Sequence, residues 1–407
     1  MAWRPSASTM VQTFEAKLRK KAVAADIFGD LTGLYSFETK SVPMGSIVAQ
    51  VKPKQKGSWK QTITLLNNLS DAPTEGRDDQ MGNEEDFTHK FLTVYAHNYS
   101  HAVPTENYGL DEWTSSAYNI LDEVTPALGL YHKEIEGQYK REALCERYSG
   151  NLTKAPVSLT QEINSNVFIC GVPIASQPAF SNTPATWAAN IEAAATAAPS
   201  TGKTDNQLNS LAKLNQISYF ASHTKLIEPL MLGGKSYYVL SVPSDQMLFL
   251  MDPNTSTSFA AIAANADTRG PGNLNFSQTV IPYGNLLIVS DDRYPTASIN
   301  ITASTVSFGY KGAGTTDGRA AAGTGAGTTD YTEDTHVWSC GFLMGPGALF
   351  QYDLNPLHYE EETQNYGQVT GIGAFRTTGW QLAEYDAETP SDSTRLNQSS
   401  ILCLFKS

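Results

Sequence analysis

The sequence lacks the features that mark small secreted, metal-bound and membrane-spanning proteins. It has four cysteines in 407 residues, Cys145, Cys170, Cys340 and Cys403, and no CxxC pair. Neither a zinc site nor a redox pair is therefore indicated, and we expect free, buried thiols. No run approaches the roughly 18 apolar residues that span a bilayer, and no apolar signal core follows the first five residues. We expect a soluble protein made and kept in the cytoplasm.

Positive charge is also scarce. Lys and Arg total 28 against 41 Asp and Glu, a formal net charge of -13. This balance disfavours wrapping around nucleic acid, which depends on basic side chains that release counterions. The charge is uneven, because residues 1–21 hold five bases and one acid, whereas residues 71–86 hold seven acids and one base. Such blocks are usually solvated faces, although opposite blocks can pair between copies of one chain.

No set of residues has the spacing of a catalytic or metal site. His97 and His101 are four residues apart but lack the Glu of a zincin helix. The GGKS run at 233–236 lacks the leading glycine of a phosphate-binding loop, and a turn before a strand explains it. Acids at 291–292 and 360–362 have no partner at the spacing of a general acid and base. We therefore predict no catalytic residue, cofactor or metal, and no enzyme.

The first hundred residues predict an arm followed by a long β-hairpin. Residues 1–46 are expected to form the arm, with a helix at 11–26 and Gly and Pro breaks after it. In the hairpin, residues 47–97, Trp59, Gln61, Ile63 and Leu65 alternate with polar residues at the period of two, and 87–96 form the return strand. The 20 residues 67–86 between the strands are rich in Asn, Asp, Gly and Pro. Loops of that length are often functional or disordered.

The hairpin is the candidate interaction site. An isolated hairpin is marginal in water, so one of this size needs a partner surface. Its basic start and acidic tip favour a charged partner, although a disordered acidic surface loop explains the composition equally well. The predicted inter-subunit interface residues are Lys52, Lys54, Lys56, Trp59, Asp78, Asp79, Glu84 and Glu85.

The clearest periodicity predicts a long amphipathic helix that begins near Leu110. Apolar residues recur at spacings of three and four, with acids outside the stripe. We expect Pro126 and Gly129 to kink or divide the helix, and Ser149 with Gly150 to end it. The predicted core of this helix comprises Leu110, Trp113, Ala117, Leu121, Val124, Leu128 and Tyr131.

The rest of the chain predicts a mixed body of short strands and helices. Strands are expected at 167–172, 237–242, 286–290, 337–343, 348–352, 366–370 and 379–384, and helices near 185–197, 207–220 and 245–251. The sequence GAGTTD occurs at 312–317 and again at 325–330. The stretch between the repeats has almost no capacity to form a core, so 312–330 is predicted to be a surface loop.

Several motifs, taken in order, resemble the HK97-like capsid proteins of tailed bacteriophages, in particular the family typified by podophage N-four. They are DIFGDLTG at 26–33, KGSWKQTI at 56–63, MGNEE at 81–85, HAV at 101–103, GKSYYVLSVP at 234–243, YGNLLIV at 283–289 and NYG at 365–367. Each motif is common by itself, but their shared order extends from residue 26 to about residue 380. The resemblance therefore covers most of the chain.

The resemblance implies an α+β, HK97-like fold in six parts. These are an N-terminal arm (1–46), an extended E-loop hairpin laid over a neighbouring subunit (47–97), a peripheral domain with the long helix as its spine (98–235), an axial domain (236–349), the return strands of the peripheral domain (350–389) and a C-terminal segment (390–407).

The resemblance also implies a function, that of a major capsid protein. Such a protein assembles with itself, as hexamers and pentamers, into the icosahedral head shell around double-stranded DNA. Portal and possible decoration or scaffolding proteins are the implied partners, DNA is enclosed without sequence-specific binding, and no membrane is involved. The implied location is the virion, assembled in the host bacterial cytoplasm. The alternative is a phage surface or tail-associated β-rich protein that binds glycan or protein, which the 19 tyrosines would suit.

Overall fold

The structure is a computed structural model that describes most of the chain in segments. The described residues are 28, 31–36, 44–53, 58–66, 89–104, 120–146, 157–158, 163–177, 206–251, 280–300, 305–310, 335–364, 369–387 and 397–406. The predicted arm helix at 11–26, the hairpin tip, the helix at 185–197 and the repeat loop at 312–330 lie outside them.

The described residues form eighteen strands and three α-helices. The strands are β1 Thr32–Leu34, β2 Val48–Val51, β3 Lys60–Leu66, β4 His89–Tyr95, β5 His97–Pro104, β6 Val157–Ser158, β7 Val167–Ile169, β8 Leu230–Leu232, β9 Lys235–Pro243, β10 Val280–Tyr283, β11 Leu286–Asp291, β12 Pro295–Asn300, β13 Thr305–Tyr310, β14 Thr335–Met344, β15 Leu349–Gln364, β16 Val369–Leu382, β17 Asp386–Ala387 and β18 Ser400–Lys406. The α-helices are α1 Ile120–Cys145, α2 Leu211–Tyr219 and α3 Ser244–Met251, and short 3-10 and π-helical turns lie at Ile174–Ser176 and Phe220–Thr224.

The strands form three sheets. The largest has ten strands in the order β10-β11-β9-β14-β12-β13-β6, with β18 pairing to β14 and β7 and with β8 pairing to β9. A five-stranded sheet has the order β1-β2-β15-β16-β5, and a small one has the order β17-β4-β3. Helix α1 contacts strands of both larger sheets. It therefore connects the two main layers of the fold.

The ten-stranded sheet is buried on both faces, as its sequence indicates. Along β9, Val239 packs in one hydrophobic cluster, whereas Tyr238 and Leu240 pack in another. Successive side chains of a strand point to opposite faces, so a continuous apolar run requires cover on both. This confirms the strands predicted at 237–242, 286–290 and 337–343, which lie within β9, β11 and β14.

The strands that close the five-stranded sheet are longer than predicted. The short strands expected at 348–352 and 379–384 are the ends of β15, with 16 residues, and β16, with 14. The remainder of both strands mixes polar residues with a few apolar ones, such as Ala374, which is buried beside Leu128, so its periodicity does not stand out. The predicted strand at 366–370 begins among residues outside the described part, and its last two residues open β16.

Helix α1 differs from the prediction in its end. It runs past Pro126 and Gly129 undivided, so of the two expected outcomes only a kink stays a prediction, and its last residue is Cys145, before the predicted stop at Ser149 and Gly150. At this end the backbone amide of Asn164 donates to the carbonyl of Cys145, and the Asn164 side-chain amide donates to the carbonyl of Leu144. A helix end must satisfy its last carbonyls. Here a distant buried asparagine does so, which no local stop signal could reveal.

The smaller elements follow the sequence with shifted ends. Helix α2 covers most of the predicted 207–220 and continues into the π-helical turn, and α3 matches 245–251. The strand predicted at 167–172 stops at Ile169 because Gly171, with φ of 87°, begins a turn. All four cysteines are buried and free, as expected. Burial raises the pKa of Cys170 to about 12, so this thiol is unreactive at neutral pH.

A buried ion pair joins α1 to the ten-stranded sheet. The guanidinium of Arg141 donates to both carboxylate oxygens of Asp291, at 2.7 and 3.0 Å, and both side chains are only 4% exposed. Asp291 also accepts from the backbone amide of Arg293. The ring of Phe28 lies 5.5 Å from the Arg141 guanidinium. The Arg141 cation therefore contacts α1, the ten-stranded sheet and one residue of the predicted arm.

A glycine allows the hairpin to approach the five-stranded sheet. Gly379 of β16 lies so close to β4 that an added Cβ would overlap the carbonyl oxygen of Tyr95. Backbone cannot yield as a flexible side-chain end can, so any larger residue must push the strands apart. Gly379 thereby sets the distance between the hairpin and the body.

Loss of the buried cation should strongly destabilise the fold. We expect Arg141→Met to lower the free energy of unfolding by about 3–5 kcal/mol, because Asp291 would remain buried and unpaired. The matched control is Arg293→Met, whose 3.4 Å pair with Glu134 joins side chains that are 36% and 48% exposed. This control should cost less than about 1 kcal/mol. Denaturant unfolding measures both, and equal losses would contradict the role given to the buried pair.

A side chain at position 379, where β16 lies against the Tyr95 carbonyl, should displace the hairpin. We expect Gly379→Ala to cost about 1–3 kcal/mol, from overpacking against the Tyr95 carbonyl, and to raise proteolytic cleavage between β3 and β4. Gly45→Ala is the control, because the nearest atom to its Cβ would be 3.7 Å away, at the carbonyl oxygen of Met231. Thermal unfolding and limited proteolysis check the pair. A Gly379→Ala protein that behaves like the control would show that the contact is not restrictive.

Candidate assembly surface

The β3–β4 hairpin has one face buried against its own subunit. The strands pair antiparallel, with Ile63 opposite Leu92. Ile63, Leu92 and Val94 are buried in a cluster with Phe350 and Tyr352 of β15. Ile63 and Thr62 follow the expected alternation between the body and solvent. Trp59, expected on the same face as Ile63, precedes β3 and is exposed instead.

The opposite face of the hairpin points outward. Lys60 and Thr62 are exposed on β3, and Tyr95 is exposed on β4 directly opposite Lys60. The hydroxyls of Thr62 and Thr93 lie 3.3 Å apart across the strands. Trp59 precedes β3 and is 57% exposed, a large apolar area for a side chain in water. We call Trp59, Lys60, Thr62 and Tyr95 the outer hairpin face.

The base of the hairpin is held rigidly. The hydroxyl of Tyr352 donates to the carbonyl of Ser58 at 2.7 Å, and the amide of Ala96 donates to the carbonyl of Trp59 at 2.8 Å. Strand β17 adds two further residues to the free side of β4. The outer hairpin face is thus presented in a fixed orientation.

The structure places only part of the predicted interface. Lys52 is exposed just after β2, and Trp59 is exposed at the hairpin base. Lys54, Lys56, Asp78, Asp79, Glu84 and Glu85 lie outside the described residues. Whether the basic and acidic groups meet therefore stays a prediction.

The structure describes the surroundings of only two residues of the apolar stripe predicted for α1. Leu128 is buried beside Ala374, Val103 and Leu357. Tyr131, expected in the same stripe, is 41% exposed and stacks on His101 with ring centroids 4.3 Å apart. His132, at the i+4 position from Leu128, is buried instead. Leu121 and Val124 lie in α1 without described side chains, and Leu110, Trp113 and Ala117 lie outside the described residues.

Sequence reasoning missed a charge network under α1. Glu136 pairs with Lys140 at 2.9 Å and with Arg376 of β16, which in turn pairs with Asp353 of β15 at 3.3 Å. Burial raises the pKa of Glu136, but Lys140 and Arg376 outweigh this effect and hold it below its usual value. The spacing of Glu136 and Lys140, four residues apart on a helix, was the available signal. No sequence signal indicated Arg376 or Asp353, because the sequence around a strand residue does not show which residues lie beside it on the neighbouring strand.

The described residues contain no group of three or more His, Cys, Asp or Glu side chains arranged to hold a metal ion. Among them, too, no helix combines the length and the apolar character required to cross a membrane.

Comparison with known proteins gives matches in structure. No protein-family model and no curated protein matches the sequence. The capsid of Ralstonia phage GP4 is similar with a TM-score of 0.56 and 15% identity, over 92% of each chain. The head structure of Helicobacter pylori bacteriophage KHP40 has a TM-score of 0.58 and 10% identity, over 94% of this chain and 91% of the other. The cyanophage Pam1 capsid has a TM-score of 0.56 and 14% identity, over 93% of this chain and 91% of the other.

These likenesses extend over nearly the full length of each chain. The chain therefore has the α+β, HK97-like fold of tailed-phage capsid proteins, as the motifs indicated.

Proposed function

We propose that this chain is the major capsid protein of a tailed bacteriophage, a structural subunit that assembles with its copies into an icosahedral head shell around double-stranded DNA. The observation that carries the proposal is the structural likeness to phage capsid proteins over more than nine tenths of the chain. A likeness confined to one domain could reflect a reused fold. A likeness over more than nine tenths of the chain supports a role of the whole subunit.

The hairpin supports this proposal on physical grounds. One face and the base are fixed to the subunit, while Trp59 and Tyr95 stay exposed on the outer hairpin face. Aromatic side chains with polar edges are enriched where proteins associate. A fixed, partly apolar projection gains stability when a second copy covers it, and symmetry repeats that gain at each contact.

The proposed organisation follows the division expected from the motifs. The E-loop would be 47–97, the peripheral domain 98–235 with 350–389, and the axial domain 236–349, whose strands lie in the ten-stranded sheet. Hexamers and pentamers would form the shell, with portal and decoration or scaffolding proteins as further partners. The net charge of -13 suits a shell that encloses DNA without binding its sequence. Assembly would take place in the host cytoplasm.

Removal of the hairpin tip tests both assembly and the role of the hairpin. We expect the full chain to form shells or capsomers, seen by size-exclusion chromatography and negative-stain microscopy. Replacing residues 67–86 with a short Gly-Ser turn should leave a folded subunit, shown by circular dichroism, that forms no shells. A full chain that stays a monomer at high concentration, or forms a discrete trimer, would reject the capsid proposal. Normal shells from the shortened chain would reject only the role of the tip.

Reversal of the basic charges tests the electrostatic part of the proposal. Changing Lys52, Lys54 and Lys56 to Glu should weaken assembly most at low salt, because exposed ion pairs are screened over about 10 Å at 0.1 M salt. Light scattering across a salt series measures the effect. Lys133→Glu, an exposed lysine on α1, serves as a charge-change control. A defect of the same size at every salt concentration would remove the electrostatic contribution while leaving the capsid proposal intact.

A further inference from the structure

Histidines are concentrated where α1 packs on the five-stranded sheet. His132 of α1 is buried, and its Nε2 lies 3.2 Å from the carbonyl oxygen of Ala374 on β16. His101 of β5 stacks on Tyr131, whose ring centroid is 6.0 Å from that of His132. His97 lies on the same face of β5 as His101, four residues earlier. We call the contact formed by α1, β5 and β16 at these residues the α1 seam.

The hydrogen bond at His132 determines which of its two ring nitrogens carries the hydrogen. A carbonyl oxygen only accepts, so Nε2 of His132 carries the hydrogen and Nδ1 carries none at neutral pH. Protonation would add a hydrogen at Nδ1 and place a full charge in a buried contact. That charge requires an acceptor or a carboxylate to be stable there.

The carboxylates near His132 already have cationic partners. Glu136 pairs with Lys140 and Arg376, and Asp353 pairs with Arg376, so two acids face two bases. The side chains of this network are between 6% and 17% exposed. A proton on His132 would therefore add an uncompensated positive charge beside Arg376.

The groups that act on His132 come from each packed element, and most oppose its protonation. Burial lowers the pKa of His132 most, His101 and Arg376 lower it further, and the hydrogen bond to Ala374 and the charge of Glu136 raise it. Burial also lowers the pKa of His97, whose Nε2 is buried without a hydrogen-bond partner. The charged and titratable groups at the seam are Glu136 and Lys140 on α1, His97 and His101 on β5, Arg376 on β16 and Asp353 on β15.

We propose that the α1 seam is a pH-sensitive contact, closed while His132 is neutral and loosened in mildly acidic solution when His132 takes up a proton. The proposal concerns the subunit itself and does not depend on the capsid function. Loosening of the seam would weaken the hold of α1 on the five-stranded sheet, whose Val48, Leu349 and Leu382 would still share a hydrophobic cluster with the ten-stranded sheet.

The direction of the pH effect follows from linkage. A free histidine in the unfolded chain has a pKa of about 6.5. Where the folded value is lower, the unfolded chain binds more protons at acidic pH, so stability is complete above about 6.5 and falls as the pH drops toward the folded pKa. Each such histidine can raise the unfolding equilibrium constant by at most about tenfold per pH unit in this window.

The test is denaturant unfolding of the full chain between pH 7.5 and 5.0, where carboxylates stay ionised. We expect the unfolding equilibrium constant of the unmodified chain to rise as the pH falls below about 6.5. His132→Gln keeps an amide donor for Ala374 but cannot be protonated, and it should flatten this rise, by up to about tenfold per pH unit. His97→Gln should flatten it to a smaller extent.

The control is His223→Gln, which removes an exposed histidine that stacks on Tyr219 in the π-helical turn after α2. It should leave the pH dependence unchanged. If the His132→Gln chain does not fold, a second measurement on the unmodified chain still tests the proposal. Hydrogen exchange at the imidazole C2 position, followed by mass spectrometry, reports the pKa of His132. A value at or above the ordinary 6.5 or so, or equal pH slopes for the seam variants and the control, would overturn the proposal.

Discussion

The fold depends on a helix that lies between two sheets and reaches each of them through buried charge. On one side Arg141 of α1 holds Asp291 of the ten-stranded sheet. On the other side Glu136 holds Arg376 of the five-stranded sheet. Buried ion pairs add little net stability, because desolvation offsets most of the attraction. Their geometry is strict, however, since a displaced partner leaves a bare charge in a dry site. The two pairs therefore determine the orientation of both sheets relative to α1 more than they strengthen the subunit.

The same constraint explains the inner face of α1 beyond Leu128. A helix that covers an apolar core carries an apolar stripe. Here His132, Lys140 and Arg141 occupy buried positions. A strand carbonyl accepts from His132 and a strand carboxylate accepts from Arg141, whereas Lys140 pairs with Glu136 of α1 itself. Titratable groups therefore lie in the contact between α1 and the five-stranded sheet. The hairpin depends on this contact indirectly. The hairpin base rests on β15 and β16, which α1 orients, so its outer face points in a direction set by the helix.

How much could be predicted differs between the two sheets. The apolar runs of β9, β11 and β14 were readable because both of their faces are buried, and the hairpin was readable because one of its faces is buried. The order of motifs indicated the HK97-like fold. The length of β15 and β16, the end of α1 at Cys145 and the exposure of Tyr131 were not readable. Each is decided by a contact with another part of the chain. The length of β15 and β16 comes from their pairing with each other, the end of α1 from its cap by Asn164, and the exposure of Tyr131 from its stacking on His101.

The last strand shows the same division most clearly. Ser400–Lys406 has no local signal beyond a short apolar run, yet it pairs with both β14 and β7 inside the ten-stranded sheet. Asn397, which precedes it, donates from its side-chain amide to Asn164, the residue that caps α1. The sequence by itself determined which stretches are apolar at the periods of a strand or a helix, and hence the hairpin, while the resemblance of its ordered motifs indicated the fold class. Tertiary structure decided which charges face one another, where α1 ends and where the last strand inserts, because these depend on residues that lie from 20 to 240 positions apart and whose proximity no local period records.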